Sequence, residues 1–287
     1  MREYTVIDVF GASPYAGNPV AVVLDGEGLS GGQMQRFAAW TNLSETTFVL
    51  APSVPEADYR VRIFTPVQEL PFAGHPTLGT CHAWLQAQAA QRSGGQPAGD
   101  RQPPREGSFV QECGAGLVRL CVESQRIAFA APPLLRDGAV EESLLAHVAE
   151  VLKIERDAIV DAEWTDNGPG WVAVMLADAE AVLALRPDFV DLELGVVGAH
   201  PPGAPQAFEV RAFFPKDGTT VEDPVTGSLN AAIAPWLLRT GRAVAPYVVS
   251  QGTVLGRSGR VHVERDGDGT VWVGGATVTC VAGRVEL

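Results

Sequence analysis

Two stretches of this chain, half a chain apart, place the same kinds of residue at the same spacing. His75-Pro76-Thr77-Leu78-Gly79-Thr80 and Asp223-Pro224-Val225-Thr226-Gly227-Ser228 each set a titratable side chain before proline and follow it with glycine and a hydroxyl residue. The chemistry on offer is anion capture. Unbonded N–H groups and the positive end of a helix dipole, backed by the Thr80 and Ser228 hydroxyls, would hold a carboxylate. Gly74, before His75, and Gly227, before Ser228, let a ligand approach the backbone closely. Taken singly, His75 reads equally well as a capping or internally bonded histidine, and Asp223 as an ordinary helix start. Their matching places in a repeat single them out.

Glu45 is the candidate for proton transfer. It sits in Asn42-Leu43-Ser44-Glu45-Thr46-Thr47, a polar knot before the apolar Phe48 and Val49. Desolvation at a strand entrance would raise its proton affinity and suit it to acid/base work near neutral pH. Spacing alone favours the plainer reading of a solvated or cap-bonding glutamate. His82, His147, His200 and His262 lack metal-ligand spacing, and no phosphate loop, dinucleotide fingerprint or nucleophile elbow is present. The residues imply neither a metal nor an organic cofactor.

The elements that must carry these residues repeat as well. Val61-Arg62-Ile63-Phe64-Thr65-Pro66 precedes the first stretch and Val210-Arg211-Ala212-Phe213-Phe214-Pro215 the second, each an apolar-alternating strand feeding a helix. Proline suits the first helical position, which predicts His75 and Asp223 as the two N-caps. Two similar lobes would bring the two helix starts together across a cleft. The first lobe, residues 1–124, opens with a buried hairpin, Thr5–Phe10 and Val20–Leu24. A helix capped by Ser30 follows, then a strand from Ser44, a helix over roughly Pro76–Ala90, and a hairpin over 108–122. Between the last two, Gln91–Gly107 is poor in apolar residues and reads as a flexible surface loop. The second lobe, 125–287, repeats the plan. It closes with strands at Tyr247–Gly252, Gly259–Glu264, Thr270–Gly274 and Thr277–Glu286, the extreme C-terminal strand being assignable to the first lobe.

Composition narrows the function classes. With 34 acidic against 21 basic residues the net charge is −13, and no basic stripe suits nucleic acid. No apolar run reaches membrane-spanning length, and no basic-plus-apolar leader precedes the first strand. A cytoplasmic location is expected. Cys81, Cys113, Cys121 and Cys280 are scattered without metal or redox spacing and read as reduced thiols.

Four motifs in order, Tyr15-Ala16-Gly17-Asn18-Pro19, Asn42-Leu43-Ser44-Glu45-Thr46, Pro71-Phe72-Ala73-Gly74-His75-Pro76-Thr77 and Glu222-Asp223-Pro224-Val225-Thr226-Gly227-Ser228, resemble the phenazine-biosynthesis PhzF family over nearly the whole chain. The resemblance implies an α+β fold of the diaminopimelate epimerase type, two similar lobes arisen by duplication, each a β-barrel-like sheet around a central helix. It implies a cofactor-independent isomerase of a small carboxylated metabolite, and a homodimer. Carried over by position, Glu45 becomes the proton-shuttling acid/base, and His75, Asp223 and Ser228 contact substrate beside the backbone of Gly74 and Gly227. Asn18 belongs to a matching motif and joins the substrate-binding set. The related epimerases and proline racemases carry a cysteine at each helix start, where this chain has His75 and Asp223. A single carboxylate moving a proton along one face is therefore expected, since Glu45 has no evident second copy. An epimerase or racemase with a non-cysteine base pair, and a binding protein without turnover, are the alternatives. The family's type substrate is trans-2,3-dihydro-3-hydroxyanthranilate, but Ser228-Leu229-Asn230-Ala231 departs from the phenazine enzyme and leaves the substrate open.

Overall fold

The computed structural model describes residues 1–92, 107–123 and 125–287. The loop expected over 91–107 thus lies, at 93–106, outside the described residues. The chain divides into two compact units, Met1–Ala130 with Gly274–Leu287, and Ala131–Val273. Among the described residues no helix is long and apolar enough to cross a membrane.

The first unit contains β1 (Arg2–Val9), β2 (Asn18–Val23), α1 (Gly31–Thr41), β3 (Glu45–Leu50), β4 (Tyr59–Phe64), β5 (Glu69–Leu70), α2 (Gly74–Arg92), β6 (Gly107–Cys113), β7 (Gly116–Glu123) and β8 (Arg126–Ala130). Pairings run β1–β2, β2 parallel to β3, β3–β4, β4 parallel to β6, β6–β7 and β7–β8. The C-terminal strand lies beside both β8 and β1, so the sheet closes on itself as a barrel. Closure removes the free edges that an open sheet would have to protect. Inside runs α2, buried without interruption from Gly74 to Ala83. Such a helix has no solvent face, which explains its mixture of small, polar and apolar residues in place of an amphipathic stripe. Gly79 allows the close fit, because a β-carbon there would stand 2.3 Å from Val20 Cγ1. Thr80 donates to the Thr47 hydroxyl at 2.8 Å, and the buried Gln111 amide donates to Thr77 at 2.9 Å. These bonds satisfy polar groups that burial would otherwise penalise. On the outside, α1 starts at Ser30 with reciprocal capping by Gln33 and packs Met34, Phe37 and Ala38 over Phe48 and Phe64.

The second unit holds β9 (Arg136–Gly138), α3 (Glu142–Leu152), β10 (Asp161–Asp166), β11 (Val172–Met175), α4 (Ala179–Ala184), β12 (Leu194–Ala199), β13 (Phe208–Lys216), β14 (Thr219–Asp223), α5 (Gly227–Arg239), β15 (Tyr247–Gln251) and β16 (Gly259–Arg265). Its topology repeats the first: β10–β11 antiparallel, β11 parallel to β12, β12–β13 and β13–β14 antiparallel, β13 parallel to β15, and β15–β16 antiparallel. The helix between β14 and β15 is again the buried one, with Leu229 to Ala234, Trp236 and Leu237 enclosed. Here Gly195 makes room, since a β-carbon would meet Leu229 Cδ1 at 2.5 Å. On the other face of the same sheet α3 and α4 cover Val174, Leu194 and Val196.

Two expectations are corrected. The separate strands Thr270–Gly274 and Thr277–Glu286 are one strand, β17 (Val271–Val285), because Gly274-Gly275 continues in extended form. The proline rule places neither N-cap. Helix α2 begins at Gly74, with His75 already in its first turn, whereas α5 begins at Gly227 after an N-cap at Thr226. Asp223 instead ends β14.

Candidate functional site

In the first unit the candidate residues converge. Glu45 is the first residue of β3, Asn18 the first of β2, and His75 follows Gly74 in the opening turn of α2. His75 Nε2 stands 3.2 Å from Glu45 Oε2, with side-chain exposures of 6% and 15%. On its other side, His75 Nδ1 lies 3.4 Å from Asn18 Nδ2. The loop leading into β2 is fixed from below, where the buried Asp8 carboxylate accepts the N–H groups of Ala16 and Gly17, each at 2.8 Å.

Burial pushes His75 down to about 3, with a hydrogen bond to the Pro19 carbonyl acting weakly the other way. The ring is therefore neutral near pH 7. That matters for Glu45, since an imidazolium at this distance would neutralise the carboxylate, whereas a neutral ring leaves it able to take a proton. Thiol chemistry is poorly placed. Cys81 is fully buried in α2 and burial pushes it up to about 12, far from the thiolate that proton abstraction needs.

In the second unit the turn from Asp223 to Ser228 is held by side chains that sequence spacing did not pick out. Thr226 donates its hydroxyl to Asp223 Oδ2 at 2.6 Å. The fully buried Gln251, at the end of β15, accepts from the Thr226 backbone N–H at 3.1 Å and from Asn230 Nδ2 at 2.9 Å. It donates to Thr226 Oγ1 at 2.9 Å and to the Asp223 carbonyl at 3.3 Å. Gly252, at φ +85°, permits this approach, for a β-carbon there would lie 2.5 Å from the Pro224 carbonyl oxygen. Ser228 is held separately: Trp171 Nε1 donates to its hydroxyl at 3.2 Å and Asn167 Nδ2 to its carbonyl at 2.9 Å. The Asp223/Thr226 spacing was the one sequence signal available. Gln251, Trp171 and Asn167 are brought in only by the fold.

Glu45 also has a counterpart that the sequence reading lacked. Thr46 pairs with Phe64 and Leu194 with Phe213, and these phenylalanines hold the same place in the repeated strands. One residue earlier stand Glu45 and Glu193. Thr47 faces α2 and Gly195 faces α5, so both glutamates lie on the helix-facing side. The parallel pairing of the preceding strands aligns Glu45 with Leu194 instead, but Leu194 faces the α3–α4 core. Glu193 is half-buried and pushed up from the usual carboxylate range by desolvation, with Asp166 adding to the effect. Among the described residues it forms no ion pair, whereas Glu45 lies against His75. No group of three or more His, Cys, Asp or Glu among the described residues is arranged to hold a metal.

The chain is also similar to known proteins. Residues 7–283 match the PhzC-PhzF family, phenazine biosynthesis-like protein. Antisense-enhancing sequence 1 of Schizosaccharomyces pombe is 35% identical over 305 residues, covering 99% of this chain and 98% of its own. The trans-2,3-dihydro-3-hydroxyanthranilate isomerase of Pseudomonas aeruginosa is 36% identical over 305 residues, covering all of both chains. Among solved structures, a phenazine biosynthesis protein of the PhzF family from Enterococcus faecalis superposes with a TM-score of 0.74 at 26% identity, covering 100% of each chain.

Proposed function

We propose, for a chain that belongs to the phenazine biosynthesis-like protein family and is an isomerase, that Glu45 moves a proton within a small carboxylated metabolite without a cofactor. The observation that carries this reading is the buried contact between Glu45 and a neutral His75. As carboxylate, Glu45 takes a proton from an acidic carbon of the substrate, and the electron pair spreads into the conjugated system. As carboxylic acid, its proton exchangeable with solvent, it delivers a proton to another carbon of the same system, so that charge and atoms balance over the cycle. Asn18, Gly74, His75, Asp223, Gly227 and Ser228 are proposed as substrate-binding residues. Water exclusion around Glu45 strengthens each of these interactions. The expected homodimer and cytoplasmic location go with this reading as family properties.

The relative from Pseudomonas aeruginosa supplies the first compound to test, trans-2,3-dihydro-3-hydroxyanthranilate. In heavy water with no added cofactor, an isomerase of this kind gives a rearranged product with deuterium at a new carbon. An epimerase would instead exchange the α-hydrogen without moving a double bond, and a binding protein would give neither result.

A further inference from the structure

The first unit carries a cavity of about 520 Å³ on the outer face of its sheet, a volume in the range of small-molecule sites. It lies apart from the residues gathered around Glu45. Glu45 opens β3 on the helix-facing side, whereas the cavity is lined by Leu50, at the far end of that strand, about 17 Å along and on the opposite face. Leu29, Met34, Leu50 and Leu70 give it apolar walls, and Arg60 and Arg62, on one face of β4, supply the charge. Arg60 is half-buried, and its Nε is enclosed without a hydrogen-bond partner. Among the described residues its guanidinium forms no ion pair. The carboxylates near it are engaged elsewhere. Glu112, its partner across the β4–β6 pairing, accepts from the Ser53 N–H at 2.7 Å and from the Ser53 hydroxyl. Glu69 is held by Arg62 through two bonds of 2.7 and 2.6 Å, and the exposed Glu27 accepts the Ala51 N–H at 2.9 Å. A guanidinium N–H taken from water without an acceptor costs stability, and an acceptor oxygen in the cavity removes that cost.

The second unit shows what fills the same place when the protein itself supplies it. Arg211 of β13 matches Arg62 of β4. Each lies over a phenylalanine, Phe213 at 4.8 Å and Phe64 at 5.1 Å, and each grips a glutamate of the following strand, Glu222 and Glu69. The remaining end of Arg211, Nη1, donates to the carbonyls of Val182 at 3.1 Å and Leu185 at 2.9 Å, at the C-terminal end of α4, and the side chain is 4% exposed. Helix α1 makes the same crossover, between the parallel β2 and β3, as α4 does between β11 and β12. It leaves Arg62 33% exposed, with no hydrogen bond from Nη1 among the described residues. Where two carbonyl oxygens seal the second unit, the first has the cavity. We propose that this cavity is a second binding site, for a small carboxylate with an apolar body. Its two oxygens take the place of the two carbonyls on Arg62 and reach Arg60, while the body lies against the leucines and Met34. Planar guanidinium donors suit a carboxylate, and the apolar walls give a bare inorganic anion nothing to bury.

Methionine-methyl NMR reads the cavity directly, because Met34 lines it while Met175, in the second unit, serves as an internal control. The probe is 4-phenylbutyrate, titrated to about 10 mM, enough to fill most of a site with a Kd of about 1 mM. The Met34 resonance of the parent protein should follow a saturating curve while Met175 stays fixed. 4-Phenylbutan-1-ol, which lacks the charge, and acetate, which lacks the apolar body, should each bind at least ~10-fold more weakly. Arg60→Gln should weaken 4-phenylbutyrate at least ~10-fold and Arg60→Lys by less, with circular dichroism showing that both are folded. Leu70→Glu, which sets a carboxylate in the cavity wall and leaves both arginines in place, should weaken it as strongly as Arg60→Gln does. A Met34 resonance that does not move, equal movement of Met175, or a shift matched by the alcohol overturns the proposal. So does an unchanged Kd in folded Arg60→Gln or Leu70→Glu protein.

Discussion

His82 gives the first unit a calculable weakness to acid. It projects from the buried helix α2 to the C-terminal strand, with Nδ1 2.8 Å from Thr277 Oγ1 and Nε2 3.0 Å from Thr279 Oγ1. Thr279 donates its own proton to Gln86 Oε1, so its oxygen must accept from His82 Nε2–H. Nδ1 is then the acceptor of the Thr277 hydroxyl, and the pair of threonines holds one neutral tautomer. Burial accordingly pushes His82 down to about 4 from the model-peptide 6.5. Because the folded state binds the proton less readily than the unfolded chain, stability is complete above pH 6.5 and falls as pH drops toward 4. Between pH 7 and pH 5 this residue alone costs about 2 kcal/mol, and the whole shift about 3 kcal/mol. Hydrogen exchange of the α2 amides reports the opening of this unit. Parent protein should lose about 2 kcal/mol more protection between pH 7 and pH 5 than His82→Gln does. Equal losses in the two proteins would refute the assignment of a neutral buried His82.

Two further perturbations test the packing around the site. Gly79→Ala drives a methyl into Val20 of β2 and should cost ~1–3 kcal/mol, read as a lowered thermal midpoint; an unchanged midpoint would mean that α2 has room to shift. Ser30→Ala removes the hydroxyl that accepts from the Gln33 N–H, leaving the bond from the residue-30 N–H to Gln33 Oε1, and should cost about 1 kcal/mol in urea unfolding, without altering KM.

Much of this arrangement was legible in the residues. The Val-Arg-x-Phe strands and the proline-glycine stretches located the repeat, and the motif around Glu45 and the one around His75 named two side chains that the fold brings within 3.2 Å. What escaped was set by distant partners. Helix α5 begins late because Gln251, on another strand, grips the Thr226 turn, and no local proline rule contains that information. The expected break after Gly274 followed from glycine's tendency to interrupt strands, yet here a β-carbon on Gly274 would collide with the Ile127 carbonyl of the neighbouring strand. Glycine at that point permits close pairing. Glu193 was missed because its likeness to Glu45 lies in register and facing, with no shared motif around it.

Glu45 is the proposed proton carrier. The direct measurement is deuterium incorporation from heavy water into the product of trans-2,3-dihydro-3-hydroxyanthranilate by parent and Glu45→Gln proteins, with circular dichroism confirming that both are folded. The amide cannot cycle a proton, so isomerisation and deuterium incorporation should together fall by at least ~10²–10⁴-fold. A folded Glu45→Gln protein that isomerises and incorporates deuterium at the parent rate would contradict the account.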